Sequence, residues 1–244
     1  MTPIVIIPAR MAATRLPGKP LADIGGAPMI VQVWRRAVEA GTGEAVVAAG
    51  DPEIVSAVEA AGGRAVLTDP ALPSGSDRAL AAVRALDPDG RFDVVVNLQG
   101  DMPFVKPATL TACLGVLAAE ADCGIATAVA PLPDPTLRGD PSTVKAILSL
   151  APGDPRGRAL YFTRGAPYGE GPDWFHIGVY AYRRGALERF CAAPPSPLEM
   201  RERLEQLRAM ELGLSIWAAI TDDVPISVDT PADLEAARAF AARR

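Results

Sequence analysis

The chain has 244 residues, of which 49% are hydrophobic and 22% charged, a balance typical of folded globular proteins and not of disordered ones. Its formal net charge of −5 and sequence pI of about 5.0 argue against a nucleic-acid partner or an anionic membrane surface, although a local basic pocket is compatible with both values. The three cysteines are scattered and lack metal-ligand spacing, as in proteins of a reducing compartment. The sequence shows no apolar run of about 18 residues and no N-terminal signal pattern. We therefore predict a soluble, cytoplasmic protein without a membrane partner.

The first half of the chain alternates between patterns typical of strands and of helices. Short β-branched runs indicate strands, whereas apolar residues at intervals of three and four, opened by proline or closed by glycine, indicate helices. In chain order these elements are strand Ile4–Ile7, helix Pro28–Ala40, strand Glu44–Ala49, helix Pro52–Ala61, strand Arg64–Leu67, helix Asp77–Leu86, strand Phe92–Asn97, helix Val105–Glu120 and strand Gly124–Ala130. This alternation predicts βαβ units and a mostly parallel sheet.

The later part of the chain is richer in proline, glycine and aspartate. Its predicted elements are strand Thr143–Ser149, strand Phe175–Tyr182, helix Glu199–Gly213 and helix Pro231–Ala242. Because no polar linker bounds this part, we interpret residues 1–244 as one domain with a smaller lobe at about residues 131–190. The predicted fold class is α/β, with a Rossmann-like, doubly wound, mostly parallel sheet and a smaller inserted α/β lobe.

The segment Pro3–Leu21 combines a strand with a loop that carries three cations, Arg10, Arg15 and Lys19. Pro17-Gly18 predicts a bend that lets Lys19 fold back over the strand end. In α/β sheets ligands lie outside the carboxyl ends of the strands, and cations fixed there suit a triphosphate. A solvated loop with ordinary surface charges is the alternative interpretation. The Walker pattern is absent, so this is not a P-loop.

Asp101 follows the apolar strand residues Val94–Val96 and the polar tip Asn97–Gly100. A carboxylate just past a strand end can face the crevice and bind Mg²⁺, which prefers one or two carboxylates together with phosphate oxygens and water. The alternative is an ordinary turn aspartate after glycine.

Asp229 precedes a helix start in which Thr230 fits the N-cap, Pro231 the first helical position and Asp233 a capping box. Its carboxylate is a second candidate metal ligand. Its alternative role is that of a carboxylate stabilised by the helix dipole.

Three further segments have an ordinary structural interpretation beside a functional one. Ser74–Arg78 runs into a helix start, where free N–H groups bind anions or base edges but where serine and aspartate are more often plain caps. His176 is the sole histidine, so it cannot supply a histidine cluster for zinc. Glu205 and Gln206 fit a solvated helix face.

The segment Ile7–Leu21, IPARMAATRLPGKPL, resembles the nucleotide-binding signature of the bacterial CMP-Kdo synthetases, the 3-deoxy-manno-octulosonate (Kdo) cytidylyltransferases. The related CMP-sialate synthetases share the strand and IPAR but continue with a different loop. Further segments similar to this family are Ser74–Arg78, Gln99–Pro103, Tyr161–Arg164, Phe175–Tyr182, Pro195–Glu199, Leu204–Arg208 and Ser227–Asp233. The ordered resemblance extends from Ile4 to Leu234.

The resemblance implies a fold like that of the nucleotide-diphospho-sugar transferases and the reaction of CTP with Kdo to give CMP-Kdo and diphosphate, for lipopolysaccharide biosynthesis. It also implies a homodimer and Mg²⁺ held by Asp101 and Asp229. The implied nucleotide-binding residues are Pro8, Ala9, Arg10, Arg15, Lys19, Ser74, Arg78, Gln99 and Gly100. The implied catalytic residues are Arg10, Lys19, Asp101 and Asp229. The implied sugar-binding residues are Arg164, His176, Tyr180, Glu205 and Gln206.

Two departures from the family pattern keep alternatives open. Met102 stands where the family has a glutamate, and the stretch Gly165–Asp173 is shorter than in the family. The alternatives are a cytidylyltransferase for another acid sugar (8-amino-Kdo or a sialic acid) and a non-catalytic nucleotide-binding module. Retention of both Asp101 and Asp229 argues against the module, whereas Met102 is its best support.

Overall fold

The computed structural model of the protein describes residues 1–12 and 15–243, so Ala13 and Thr14 of the predicted phosphate-binding loop lie outside the described residues. The elements are β1 (Pro3–Ala9), α1 (Met29–Ala40), β2 (Glu44–Ala49), α2 (Pro52–Ala60), β3 (Arg64–Leu67), α3 (Gly75–Leu86), β4 (Val94–Leu98), α4 (Pro107–Ala119), β5 (Ile125–Pro131), β6 (Lys145–Ser149), β7 (Arg156–Thr163), β8 (Trp174–Arg183), α5 (Arg184–Ala192), α6 (Pro197–Glu202), α7 (Gln206–Glu211), β9 (Ile216–Ile220) and α8 (Pro231–Ala241). Short 3₁₀ turns lie at Lys19–Leu21 and Pro135–Gly139. Within the described ranges, each helix is too short or too polar to cross a membrane.

The chain forms two units, the first comprising residues 1–107 and 225–244 and the second residues 108–224. In the first unit, strands β3, β2, β1 and β4 pair side by side in that order, and every pairing is parallel. Val94, Val95 and Val96 of β4 are completely buried, as expected for a parallel strand covered on both faces. Because Ile6 of β1 pairs with Asn97 of β4, the residues that follow both strands meet at one edge of the sheet.

Helix α8 belongs to the first unit through an apolar cluster. The buried members of that cluster are Ile24, Met29, Val228, Leu234 and Ala237. Val228 is completely buried, and its N–H donates to the carbonyl of Asp101 at 2.9 Å. Packing therefore brings Asp229 from the far end of the sequence to the tip of β4.

The strands of the second unit close into a barrel. Antiparallel pairs join β8 to β5, β9 to β7 and β7 to β6, while β5 and β9 run parallel. Strand β6 pairs with β8 as well, Lys145 opposite Phe175, and this pairing completes the ring. The mixed α/β class is confirmed. The barrel departs from the single doubly wound sheet that the sequence predicted, since β6 has a partner on each side.

Most predicted elements are confirmed to within a few residues, and the corrections concentrate in the second unit. The strands β7 and β9 and the helix α5 were not predicted. The single helix predicted at Glu199–Gly213 is wrong, because α6 ends at Glu202, the next residue Arg203 has a left-handed φ of 54°, and α7 begins at Gln206. The proposed lobe of residues 131–190 lies inside the second unit.

Candidate functional site

A cleft of about 310 Å³ lies at the carboxyl edge of the first unit's sheet. It is bounded by the end of β1 and its following loop, the start of α3, the tip of β4 and the residue before Thr230. Its lining residues are Pro8, Ala9, Arg10, Ala12, Arg15, Leu16, Lys19, Pro20, Leu72, Pro73, Ser74, Gly75, Arg78, Gln99, Gly100, Asp101 and Asp229. The structure thus brings together every residue that the family resemblance assigned to the nucleotide and the metal.

Lys19 reaches the interior of this cleft through the predicted bend. Gly18 has a left-handed φ of 70°, a conformation that glycine adopts without steric cost, and its N–H donates to the carbonyl of Met11 at 3.4 Å. The Lys19 ammonium lies 3.3 Å from Asp101 Oδ2 and 3.0 Å from Asp229 Oδ1. The two predicted metal ligands therefore converge on a single cation.

The charges around Asp101 act on its carboxyl group in opposite directions. Burial raises its pKa and the neighbouring Asp229 raises it further, whereas Lys19 lowers it through its charge and hydrogen bond. Lys19 thus helps to keep Asp101 ionised. Arg15 Nη2 lies 3.1 Å from Asp229 Oδ2, and the Arg15 side chain is 68% exposed, so this second cation is free to turn towards a ligand.

The start of α8 separates the roles of its two aspartates. Thr230 Oγ1 accepts from the N–H of Asp233 at 3.2 Å, and Asp233 Oδ2 accepts from the N–H of Thr230 at 2.8 Å, which completes the predicted capping box. Asp233 Oδ2 also accepts from the N–H of Asp229 at 3.1 Å. Asp233 thus caps the helix, whereas the Asp229 carboxylate pairs with Lys19 and Arg15 in the cleft.

The opposite wall of the cleft carries amide and hydroxyl groups. Gln99 Nε2 donates to Asn97 Oδ1 at 3.3 Å, which leaves the Gln99 carbonyl oxygen available as an acceptor. Ser74 Oγ accepts from the N–H of Asp77 at 3.1 Å and donates to Asp77 Oδ2 at 2.7 Å. Ser74 is therefore the N-cap of α3 as well as a lining residue of the cleft.

Arg78 is buried, and its guanidinium holds the loop at residues 68–70. It donates to Thr68 Oγ1 at 2.6 Å and to the carbonyls of Asp69 and Pro70 at 3.0 and 3.4 Å. Burial lowers the pKa of Arg78, and the charge of Arg10 lowers it further. Arg10 and Arg78 thus form a positive end of the cleft. The sequence predicted Arg78 as a nucleotide-binding residue but did not predict its contacts with the loop at residues 68–70.

Gly75, the first residue of α3, permits the close approach of Gln99. A Cβ atom built there would lie 3.2 Å from Gln99 Oε1 and 3.3 Å from Pro8 Cγ. We therefore expect Gly75→Ala to displace the Gln99 amide and to raise the KM for a nucleotide about 3- to 10-fold, the equivalent of one weakened hydrogen bond. Gly115→Ala, where an added Cβ meets no atom within 4 Å, is the control for steady-state kinetics and should leave KM unchanged.

The predicted sugar-binding residues all belong to the second unit. His176 Nε2 lies 3.0 Å from Thr127 Oγ1, and the His176 and Tyr180 rings lie 5.5 Å apart. Burial lowers the pKa of His176 to about 3, so the imidazole is neutral near pH 7. Burial raises the pKa of Tyr180, and the negative charge of Glu205 raises it further. Gln206 is buried at the start of α7.

Arg164 lies in the same unit, where its guanidinium is engaged with the main chain. It donates to the carbonyls of Pro141 at 2.8 Å, Glu202 at 3.1 Å and Arg203 at 3.2 Å. These contacts tie the end of β7 to the junction of α6 and α7, just before Glu205. One N–H on each terminal nitrogen remains beyond these bonds for a carboxylate.

The completely buried Lys145 supports this arrangement. Its ammonium donates to the carbonyls of Asp140, Thr143 and Arg164 at 2.9, 2.6 and 2.8 Å. Methionine in its place would remove this donor from the carbonyls of Thr143 and Arg164, whereas the Asp140 carbonyl would still accept from the N–H of Thr143 at 3.2 Å. Each buried, unsatisfied polar group costs about 1–3 kcal/mol. We expect Lys145→Met to lower the free energy of unfolding by at least about 2 kcal/mol in urea titrations, whereas the exposed Lys106→Met should change it by less than about 0.5 kcal/mol. Equal stability of the two variants would contradict this role.

Sequence reasoning missed several residues that position the site. Asp51 Oδ2 accepts from the N–H of Met11 at 2.7 Å and so holds the start of the loop after β1. Asn97 orients Gln99, and Gly75 makes room for it. Asn97 and Gly75 lie inside the sequence motifs Asn97–Gly100 and Ser74–Arg78, whereas Asp51 carries no local signal of a role at this site. Met102 is 4% exposed, so the family's glutamate position is a buried position in this chain.

Comparisons with known proteins agree with this geometry. The family model described as "Cytidylyltransferase" matches residues 4–216. A relative from Parvibaculum lavamentivorans, 59% identical over 244 residues that cover 99% of this chain and 93% of the relative, is named 3-deoxy-manno-octulosonate cytidylyltransferase. A relative from Rhodospirillum centenum with the same name is 60% identical over 239 residues, covering 98% of this chain and 93% of the relative.

Solved structures extend the comparison. A structure of CMP:2-keto-3-deoxy-manno-octonic acid synthetase complexed with CTP matches with a TM-score of 0.90 and 36% identity, covering 100% of this chain and 99% of that one. A nucleotidyl transferase from Methanothermobacter thermautotrophicus, 19% identical with a TM-score of 0.64, covers 99% of this chain and 98% of its own and shares the fold. Sequence and structure together show that the chain belongs to the cytidylyltransferase family, among the 3-deoxy-manno-octulosonate cytidylyltransferases.

Proposed function

We propose that the protein transfers the cytidylyl group of CTP to Kdo and releases diphosphate. The observation that carries this proposal is the convergence of Lys19, Asp101 and Asp229 within 3.3 Å in a cleft that also presents arginines and a glutamine amide. Cations at one end suit the triphosphate, and an amide acceptor at the other suits the amino group of cytosine.

In the proposed reaction the anomeric hydroxyl of Kdo attacks the α-phosphorus of CTP in line. The new O–P bond forms, the bond to the bridging oxygen breaks, diphosphate leaves with its electron pair, and the hydroxyl proton passes to solvent. The barrier comes from bringing two anions together and from charge that grows on phosphate oxygens, so positioning and electrostatics supply most of the catalysis. Arg10, Arg15 and Lys19 neutralise the triphosphate.

Asp101 and Asp229 fit Mg²⁺ as their partner. Both carboxylates already reach one ammonium group, and Mg²⁺ takes one or two carboxylates together with substrate phosphates and water. When bound, the ion would lower the pKa of the sugar hydroxyl and orient it. Lys19, released from the carboxylates, would then bind phosphate oxygens.

For the acid sugar, we propose that Glu205, Gln206, Tyr180 and His176 bind hydroxyl groups and that the remaining N–H groups of Arg164 meet the carboxylate. Two observations support this grouping: the His176 and Tyr180 ring centroids lie 5.5 Å apart, and the charge of Glu205 raises the pKa of Tyr180. A neutral His176 suits a hydroxyl better than an anion.

We further propose the finer properties that the family resemblance implies: a cytoplasmic homodimer with dimer contacts in residues 131–190, acting in lipopolysaccharide biosynthesis. The parallel pairing of the four strands β3, β2, β1 and β4 supports a Rossmann-like relationship. Sedimentation of the purified protein at several concentrations tests the dimer, and a single species with the 25.5 kDa mass of one chain would contradict it.

Diphosphate release tests the proposed function. We expect turnover with CTP, Kdo and Mg²⁺, none when any one is omitted, and at least about tenfold lower kcat/KM with UTP, GTP or ATP, equivalent to about 1.4 kcal/mol of base recognition. Comparable rates with UTP would remove the assignment of Gln99. Replacement of Kdo by 8-amino-Kdo or a sialic acid in the same assay ranks the alternative sugars.

A further inference from the structure

Thr127 lies where the pairing of β5 with β8 is irregular. Thr127 pairs with Tyr180 but the next residue, Ala128, pairs with Ile177, so Gly178 and Val179 form a bulge on β8. The Thr127 side chain is completely buried there, and its hydroxyl oxygen lies 2.9 Å from the Val179 carbonyl and 3.2 Å from the Ile177 carbonyl. The hydroxyl thus serves main-chain acceptors at the bulge.

The hydrogen-bond donors at this point can be assigned from chemistry. A threonine hydroxyl has one proton, and a carbonyl oxygen can only accept. With two carbonyls within reach, the Thr127 proton goes to one of them. The 3.0 Å contact between Thr127 Oγ1 and His176 Nε2 must then be donated by the imidazole ring.

We propose that Thr127 is a positioning residue that holds His176 in the tautomer protonated at Nε2, so that Nδ1 presents a lone pair to a hydroxyl of the sugar substrate. The sugar part of this inference rests on the proposed function. The surroundings agree, because the ring packs edge-on against Phe162 with centroids 4.8 Å apart and lies near the Tyr180 ring. Burial lowers the pKa of His176, which agrees with a neutral ring.

The tautomer can be measured directly, because the chain contains a single histidine. Protein labelled with ¹⁵N-histidine gives one imidazole signal set in two-bond ¹H–¹⁵N correlation spectra. We expect a neutral ring protonated at Nε2, unchanged between pH 6 and pH 8. A ring protonated at Nδ1, or one that titrates in this range, would overturn the inference whatever the enzymatic activity.

Two variants test the role of the hydroxyl. Thr127→Val keeps the shape without the proton or the acceptor, and we expect a mixture of tautomers and a KM for Kdo about tenfold higher, with the KM for CTP unchanged. Thr127→Ser should restore the tautomer and the KM. A Thr127→Val protein with the wild-type tautomer and wild-type KM for Kdo would contradict the proposal.

If Thr127→Val does not fold, as judged by its melting curve, the wild-type spectrum still tests the tautomer of His176. A Thr127→Ser protein with a changed tautomer would then contradict the role of the hydroxyl. Wild-type protein that forms no product from CTP and Kdo would overturn the proposed function but leave the tautomer result standing. The two failures are therefore distinguishable.

Discussion

Replacing Lys19 with methionine should lower kcat/KM for CTP by about 30- to 1000-fold, which corresponds to about 2–4 kcal/mol of lost transition-state stabilisation. The Lys19 ammonium is the one group that contacts both Asp101 and Asp229 among the described residues, and its side chain is only 17% exposed. A preorganised charge in a partly buried cleft stabilises a transferring phosphoryl group far more strongly than the charge of a surface lysine does.

Lys106→Met is the matched control for this measurement, since it removes an exposed lysine of the same unit that does not line the cleft. We expect its kinetics to stay within about twofold of wild type, as for most surface substitutions. Near wild-type kinetics of Lys19→Met in the same assay would mean that the loop after β1 has only a structural role.

The second large effect concerns the two aspartates. Asp101→Asn and Asp229→Asn each remove a charge while keeping size, and we expect each to reduce turnover at least about 100-fold with the fold intact. If both act on one cation, the double variant should lose little more than either single variant, because groups that act as a unit do not add. Turnover is measured at saturating CTP and Kdo, with a melting curve for each variant.

Asp233→Ala separates catalysis from helix capping. Asp233 accepts three hydrogen bonds at the start of α8, so its loss should lower stability by about 0.5–2 kcal/mol with a smaller effect on turnover than Asp229→Asn. A carboxylate that only favoured the helix dipole would be worth about 0.3–1 kcal/mol of stability and nothing in turnover. Normal turnover of Asp229→Asn would therefore refute the shared site.

The fold of the first unit could be predicted because its signals are local. Strands such as β4 are short apolar runs, and glycines or prolines mark the ends of α1 and α2. The barrel of the second unit could not, because its closure depends on Lys145 and Ala146 pairing with a strand about 30 residues further on. Strand β7 is also hidden in a segment rich in proline, glycine and aspartate.

The residues of the candidate site, too, could be predicted from the sequence only where the signal is local. Asp101 could be predicted because it follows a strand end, whereas only the family resemblance indicated that Asp229 joins it. The contacts that position the groups are distant in sequence: Lys19 is 82 residues from Asp101 and 210 from Asp229, and Thr127 is 49 from His176. No local pattern encodes such pairings, and the packing of α8 and the bulge in β8 create them.

Phosphorus NMR of the wild-type reaction distinguishes cytidylyl transfer from simple hydrolysis of CTP. With CTP, Kdo and Mg²⁺, we expect loss of the three triphosphate signals and the appearance of one phosphodiester signal together with an equal amount of diphosphate. Asp229→Asn, under the same conditions, should leave CTP intact. Unchanged CTP with the wild-type protein, or conversion to CDP and free phosphate, would contradict cytidylyl transfer in this cleft.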